Sequence, residues 1–492
     1  MSRVVVIGGG LAGITAALDC ADAGADVTLL EVRRRLGGAA YTFEREGLRM
    51  DNGQHVFLRC CAAYRGLLGR LGSEAHVHVQ PRLQIPVLRP GAPPARLLRG
   101  RLPAPLHLAG TLLGYRYLSR RERLAAARAA LALMRLPRET QALDAQTFGD
   151  WLARHGQSAG AIAALWDLIA LPTLNLPAAE ASLELAAFVF RTGLLSSADA
   201  GDIGFHAGTL EQTIGEPARH ELRRAGVEVR LGWRAQQLTP DGAGLRVHGR
   251  GGREEGSAGA GEDDRREAAP ASAREELLSA DAVIVAVPHA RAAALLEPML
   301  PDLARGLRAL GSSPIVNLHV VYDRPVCDEP FAAGVGTPVQ YLFDRTAAGG
   351  APAGSQYLAV SLSGADREMG MSVDALRELY VPAIAELLPR ARAAKLECFV
   401  ASREHAATFR AVPGAGALRP GPVTAVPGLF LAGAWTATGW PATLEGAVLS
   451  GHAAARSALR ALELRSGAGG DRPGARGAGR ASAAAAVSWM AP

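Results

Sequence analysis

VVVIGGGLAG (residues 4–13) decides the fold. Residues 3–7 are a β-branched run that reads as a buried parallel strand, and Gly8, Gly10 and Gly13 follow in G-x-G-x-x-G spacing where a helix begins. In such a unit Gly8 permits the tight turn, Gly10 lets backbone approach a diphosphate, and Gly13 lets the helix pack closely on the strand; Gly9, Leu11 and Ala12 complete the phosphate-facing loop. The helix N-terminus offers unpaired N–H groups and a dipole that favour negative charge. The helix runs over residues 11–23 and stops at Gly24. A second strand, residues 26–30, ends in Glu31, where an acid accepts hydrogen bonds from ribose hydroxyls, with Val32 beside it.

Further out, Glu31-Val-Arg-Arg-Arg35-Leu-Gly37-Gly38 resembles the E-x-x-x-R-x-G-G continuation of FAD-dependent amine oxidases and phytoene-type desaturases. Arg35 can neutralise the diphosphate, and Gly37 and Gly38 let the chain pass close to the cofactor, whereas Arg33 and Arg34 read as solvated. The chain returns to the same design in GLFLAGAWTATGWPATLEGAVLSG (residues 428–451), an apolar strand ending in Gly433 and a helix over residues 444–459. That helix end would stabilise the charge of a reduced flavin. Trp435 and Trp440 lie beside the expected ring or fill the seam between domains. The resemblance implies FAD contacts at Gly53, Gln54, Ala235, Gly433, Ala434, Thr443 and Leu444. Many relatives carry an acid where this chain has Ala434, so the ribityl hydroxyls must find water or backbone.

The expected fold is α/β: a Rossmann-like FAD-binding domain of the glutathione-reductase type, amine-oxidase-like, with a discontinuous α+β substrate domain. Residues 1–80, 206–300 and 410–462 are assigned to the first, 81–205 and 301–409 to the second, and 463–492 to a disordered tail. Residues 249–276, rich in glycine and charge, read as a flexible insertion between strands 245–248 and 282–287, which with 227–231 are expected to extend the cofactor sheet. The pattern is helical over 99–195 and strand-like over 315–322 and 357–363.

The 492 residues allow two to four units. Of the net charge of +6, half comes from the Gly/Ala-rich tail, and no motif supports nucleic-acid binding. Five cysteines in no metal spacing read as cytosolic thiols. With no membrane-spanning apolar run and a start directly in a strand, a cytoplasmic location is expected.

DNGQH (51–55), SPIVNLHVVYDRPV (313–326), QYLFDR (340–345) and the C-terminal unit together resemble hydroxysqualene dehydroxylases, the squalene-associated FAD enzymes of hopanoid synthesis. The resemblance implies reductive loss of the hydroxyl of hydroxysqualene, with His55 as the acid and Gln54 orienting the hydroxyl or the flavin edge. His55 also reads as a hydrogen-bonded structural residue, and Asp51 as a turn cap. Amine oxidases carry a lysine on the strand aligned with 315–321 and an aromatic cage residue where this chain has Thr443; the only lysine here is Lys395, which argues against amine oxidation. A carotenoid-type desaturase remains the nearer alternative for a C30 or C40 isoprenoid. A prenyl-lipid carrier like the GDP-dissociation inhibitors is disfavoured by the intact Gly8–Gly38 motif residues. A hydrocarbon substrate implies peripheral contact with the inner face of the cell membrane, and contact with neighbouring enzymes of squalene synthesis is a further expectation. Residues 105–118, apolar with Arg116 near their end and Arg120, Arg121 and Arg123 after them, read either as an interfacial helix or as a core helix with a solvated basic end.

Overall fold

The computed structural model describes residues 1–137, 141–242, 244–251 and 274–468. Five parallel strands, β1 (Arg3–Ile7), β2 (Asp26–Glu31), β3 (Glu228–Leu231), β4 (Ala282–Val285) and β5 (Leu429–Leu431), lie in the order β3-β2-β1-β4-β5. Only β4 separates the first strand of the chain from the last. The central strands β1, β4 and β5 are apolar past Arg3 because both their faces are buried, while the edge strand β3 keeps Glu228 exposed: Val5, Ile7, Val283 and Val285 enter one core, and Val4, Val6, Ile284 and Phe430 another. Helices α1 (Leu11–Asp22) and α2 (Leu444–Ala468) cover the second face together. A Cβ on Gly451 would lie 2.4 Å from the Ala12 carbonyl oxygen, so the two helices meet almost backbone to backbone. His452 Nδ1 lies 2.6 Å from Asp19 Oδ2 across the same contact.

One strand expected in this sheet lies elsewhere. Gly244–Gly251 pairs antiparallel with Trp233–Asp241 and Arg274–Ala280 in a separate three-stranded sheet. Its alternation places Leu245 and Val247 in the core and turns Arg246 and Arg250 outward, the mark of a one-sided antiparallel sheet rather than a parallel interior strand. The pairing Gly249↔Glu276 to Gly251↔Arg274 also makes ordered strand of both ends of the expected insertion, whose residues 252–273 lie outside the described residues. Likewise α2 continues through residues 463–468 of the expected tail, and 469–492 lie outside the described residues.

A second large sheet has seven strands in the order Leu396–Thr408, Ser313–Tyr322, Gln356–Ser363, Tyr341–Asp344, Phe331–Gly334, Gln84–Leu88, Ala95–Leu98. Along Ser313–Tyr322, Val316, Leu318, Val320 and Tyr322 pack with Leu376 and Ile384 of the helix Val373–Leu387. Alternation therefore puts Asn317 and His319 on the opposite face. Of the expected helical region, residues 105–118 form only a 3₁₀ turn, Leu106–Leu108, and a short helix, Ala109–Gly114; Tyr115 and Leu118 are buried while Leu106 and Leu113 stand exposed. A longer helix, Arg120–Met134, follows, capped reciprocally by Ser119 and Glu122. Among the described residues no helix is long and apolar enough to cross a membrane, and no cluster of His, Cys, Asp and Glu could hold a metal ion. All five cysteines are free thiols.

Candidate functional site

The C-terminal ends of the parallel strands bring the first glycine unit together. Gly8 has φ +115° and its N–H donates to Leu30 O at 2.7 Å. A Cβ on Gly13 would lie 1.8 Å from Gly8 O, so the turn closes only on glycine. Gly37 N–H donates to Gly9 O at 2.9 Å, and a Cβ on Gly38 would lie 2.7 Å from Gly10 Cα. The two loops thus touch through bare backbone. Glu31 is buried and accepts from Gly9 N–H (2.6 Å) and Arg33 N–H (2.8 Å); burial pushes its carboxyl above the usual range against the pull of those two bonds. Arg35 lies with Cζ 3.6 Å over the Tyr41 ring and donates to Gly38 O at 3.2 Å. Leu11 and Ala12 are buried in the α1 packing, whereas Val32 is 45% exposed at the strand end. Ala235 sits beside a bulge in Trp233–Asp241, a strand tied to this edge by Gly232 N–H donating to Arg33 O at 3.1 Å.

The C-terminal unit is held by a residue that the sequence does not advertise. Arg419 is buried and fans across the loop after β5, donating to Thr436 O (2.5 Å), Trp440 O (2.6 Å), Ala434 O and Trp435 O (both 3.4 Å). Burial lowers its pKa to about 10, and carbonyl oxygens take the place of a carboxylate partner in its hydrogen bonds. Gly433, with φ +139°, has its N–H bound to Ser450 Oγ at 2.8 Å, and a Cβ there would strike Trp435. Trp435 is buried in the first core and donates to Val287 O at 3.0 Å; Trp440 meets Phe188 edge to face at 5.0 Å. Ala434 offers its engaged carbonyl and a methyl group. Thr443 Oγ1 accepts from Gly446 N–H at 3.1 Å, which makes it the N-cap of α2, and Leu444 packs in the second core. Glu445 accepts from Ala63 N–H (3.0 Å) and Tyr64 N–H (2.7 Å), docking the first turn of α2 on the helix Ala62–Arg70.

Residues 51–55 face these units from the other side. Asn52 is a hub: its Oδ1 accepts from Tyr41 N–H (3.0 Å), its Nδ2 donates to Ala39 O (2.9 Å) and Glu404 (3.1 Å), and its carbonyl accepts from Asn317 Nδ2 (2.6 Å). Asp51 is no simple turn cap. It forms a buried ion pair with Arg345 (2.8 Å) and accepts from Leu210 N–H (3.0 Å) and Thr42 Oγ1 (2.7 Å). Arg345 also donates to Gly208 O (2.8 Å) and His206 O, bringing His206 to within 3.3 Å of the Tyr64 hydroxyl. Beyond this pair lies a small pocket lined by Gln54, His55, Phe205, His206, Leu210 and Phe343. Gln54 Nε2, His55 Nε2, His206 Nδ1 and Asn317 Oδ1 are all buried with no hydrogen-bond partner in the protein. Desolvation lowers the pKa of His55 to about 4; His206 falls to about 3, from desolvation with the charges of His55 and Arg345 as lesser causes. Gly53 separates His55 Nε2 from Asn317 Nδ2, and a Cβ there would sit 3.5 and 3.6 Å from them. His206, Arg345, Asn317 and Arg419 were not singled out from the sequence as site residues. The motifs around Asn317 and Arg345 mark their segments, while His206 and Arg419 stand in stretches with no pattern of their own.

A dinucleotide-type flavin fits the first edge. The N-terminus of α1 has no side-chain cap, leaving its N–H groups for phosphate, and the apposed glycine loops leave backbone where a Cβ would intrude. Comparison with known proteins agrees. The family described as flavin containing amine oxidoreductase matches residues 11–459. Hydroxysqualene dehydroxylases of Rhodopseudomonas palustris and Sinorhizobium fredii are 32% and 30% identical, covering 94% and 93% of this chain and 99% and 98% of their own. The zeta-carotene desaturase of Arabidopsis thaliana is 22% identical over 92% of this chain and 84% of its own. Among solved structures, putrescine oxidase shares the fold with a TM-score of 0.65 at 20% identity, over 94% of this chain and 99% of its own. The chain therefore belongs to the flavin-containing amine oxidoreductase family and is an FAD-dependent oxidoreductase.

Proposed function

We propose that this enzyme reductively dehydroxylates hydroxysqualene to squalene. The observation that carries the reading is the pair of buried, unpartnered donor-capable atoms, Gln54 Nε2 and His55 Nε2, beside an apolar wall of Phe205, Leu210 and Phe343. A polar group left unsatisfied in such a place costs stability, and a substrate hydroxyl repays it. Two relatives at 30% identity or more carry the name of this activity.

In this reading Gly8–Gly13, Glu31, Arg35, Gly37 and Gly38 would hold FAD at the C-terminal edge of the β1–β5 sheet, and the seven-stranded sheet would form the substrate side. Fully reduced FAD, when bound, would supply both a hydride equivalent and a proton as it returns to the oxidised form, which balances conversion of the alcohol to hydrocarbon and water. His55 and Gln54 hold the departing oxygen. At neutral pH the His55 ring is neutral, because burial places its pKa at about 4, so it acts as a hydrogen-bond donor to the hydroxyl rather than as a standing imidazolium. The phenyl walls keep water from the allylic carbon as the C–O bond breaks. The Asp51–Arg345 pair and Asn52 fix the loop that carries both residues.

The test is anaerobic. Reduced enzyme mixed with hydroxysqualene is expected to form squalene as the oxidised flavin spectrum returns, and His55→Ala is expected to retain FAD but lose turnover. No reoxidation with that alcohol, together with flavin reduction by zeta-carotene, would favour the carotenoid-desaturase reading, which the Arabidopsis thaliana relative supports. Full turnover by His55→Ala would remove the role given to His55.

A further inference from the structure

Fourteen large apolar side chains stand exposed among the described residues, and seven of them lie between Leu98 and Met134. They lie on adjoining elements, the strand Ala95–Leu98, the helix Ala109–Gly114 and the helix Arg120–Met134 with the loops between them. Leu98 N–H donates to Thr111 Oγ1 (2.6 Å) and Gly100 N–H to His107 O (2.6 Å), tying the end of the strand Ala95–Leu98 to the short helix Ala109–Gly114. This knot presents Leu98, Leu102, Leu106 and Leu113, the last two 57% and 72% exposed. The neighbouring helix Arg120–Met134 buries Ala126, Ala129 and Leu133 and turns Leu124 and Leu131, two turns apart, outward with Arg120 and Arg128.

The charge on this surface has one sign. Residues 98–137 contain eight arginines and a single acid, Glu122, which is spent on the Ser119 cap and on Ser158. Arg99 pairs with Asp202, and Arg123 turns inward to Leu118 O and Leu113 O; the other six arginines are exposed. Leucines interleaved with exposed arginines match the boundary of a bilayer, where apolar chains enter the acyl region and guanidinium groups remain with phosphate. Beneath the knot, Leu108, Leu112, Tyr115 and Leu118 belong to the same packed cluster as Phe205 and Phe343 of the His55 pocket. The surface and the reaction pocket therefore rest on one packed cluster.

We propose that the Leu98–Leu131 face docks on an anionic lipid bilayer. The proposal deepens the isoprenoid reading above and rests on it for its purpose, since it names where a hydrocarbon would leave the membrane. The docking is tested without substrate, by sedimenting the FAD-loaded full chain with phosphatidylglycerol-containing vesicles and with pure phosphatidylcholine vesicles. Binding is expected to favour the anionic vesicles and to weaken as salt screens the arginines. Leu106→Glu/Leu113→Glu and, separately, Arg116→Glu/Arg120→Glu/Arg121→Glu are each expected to lower vesicle partitioning by about tenfold or more. Both variants should keep FAD content, melting temperature and turnover of detergent-dispersed substrate; acids at 120 and 121 suit the first turn of their helix, so folding is not at risk there. Wild-type partitioning that is absent, or that equals the variants', overturns the proposal. So does concentration-dependent self-association abolished by the same substitutions, which would make a second copy the occupant. Vesicle binding with no reaction of hydroxysqualene leaves the docking standing and removes the function reading alone.

Discussion

The two sides of the candidate site are built from different material. On the cofactor side the chain meets itself through bare backbone: Gly13 against Gly8, Gly38 against Gly10, Gly37 bonded to Gly9. On the far side it meets itself through buried side chains: Asp51 against Arg345, Asn317 on Asn52, His206 beside Tyr64. The first side is intolerant of volume, the second of unbalanced charge. The difference can be tested by insults to which only one side responds.

The largest effect is expected from Arg345→Met, which leaves the Asp51 carboxylate buried without its cation and should cost about 3–5 kcal/mol in denaturant unfolding. Adding Asp51→Asn should recover most of it, because the charge and its partner are then gone together. A loss below about 1 kcal/mol would mean that the pair contributes no more than an exposed one and that the far side does not depend on charge balance.

Acid attacks the same side. His206 and His319 are buried and neutral, each with its pKa lowered to about 3 by desolvation as the leading cause, and His319 is held between the Tyr357 hydroxyl (2.6 Å) and Ser402 (3.1 Å). The unfolded chain takes up a proton near pH 6.5, so the stabilising contribution is complete above that value and is lost as pH falls toward 3. Between pH 7 and pH 5 each histidine should cost about 2 kcal/mol, measured by unfolding at the two values. Replacing His319 by Gln should flatten its share of that slope.

Volume attacks the other side. Gly38 has φ +61° and no room for a methyl group, so Gly38→Ala should cost about 2 kcal/mol and sharply lower the FAD absorbance per polypeptide. Gly53→Ala is the control on the far side, since its added Cβ would find neighbours only at ordinary contact distance. Equal losses in the two variants would erase the distinction.

The same contrast explains what could be read from the sequence. Strand, turn, helix and acid fall within residues 3–38, where spacing alone fixes geometry, and the α/β class with its FAD-type edge was legible there. The far side joins residues 51, 206, 317 and 345, whose contacts span up to 294 positions, so no local pattern announces them. The strand at 245–248 was misassigned to the parallel sheet because so short a run does not state its pairing partner. Arg419 was missed because its partners are carbonyls, which carry no sequence mark.

Thr443 lies where the two kinds of construction meet, and gives the smallest expected effect. The sequence reading takes it as a cofactor contact; the geometry makes it the cap of α2, with its hydroxyl accepting from Gly446 N–H. A cap removed by Thr443→Ala costs about 1 kcal/mol and should leave FAD content unchanged, while Thr443→Ser should restore stability because serine caps as well as threonine does. A contact to the cofactor makes the opposite demand: FAD occupancy falls while the unfolding free energy of the apoprotein stays level. Measuring both quantities on both variants separates the roles, because a lost cap acts on the helix whether or not FAD is bound.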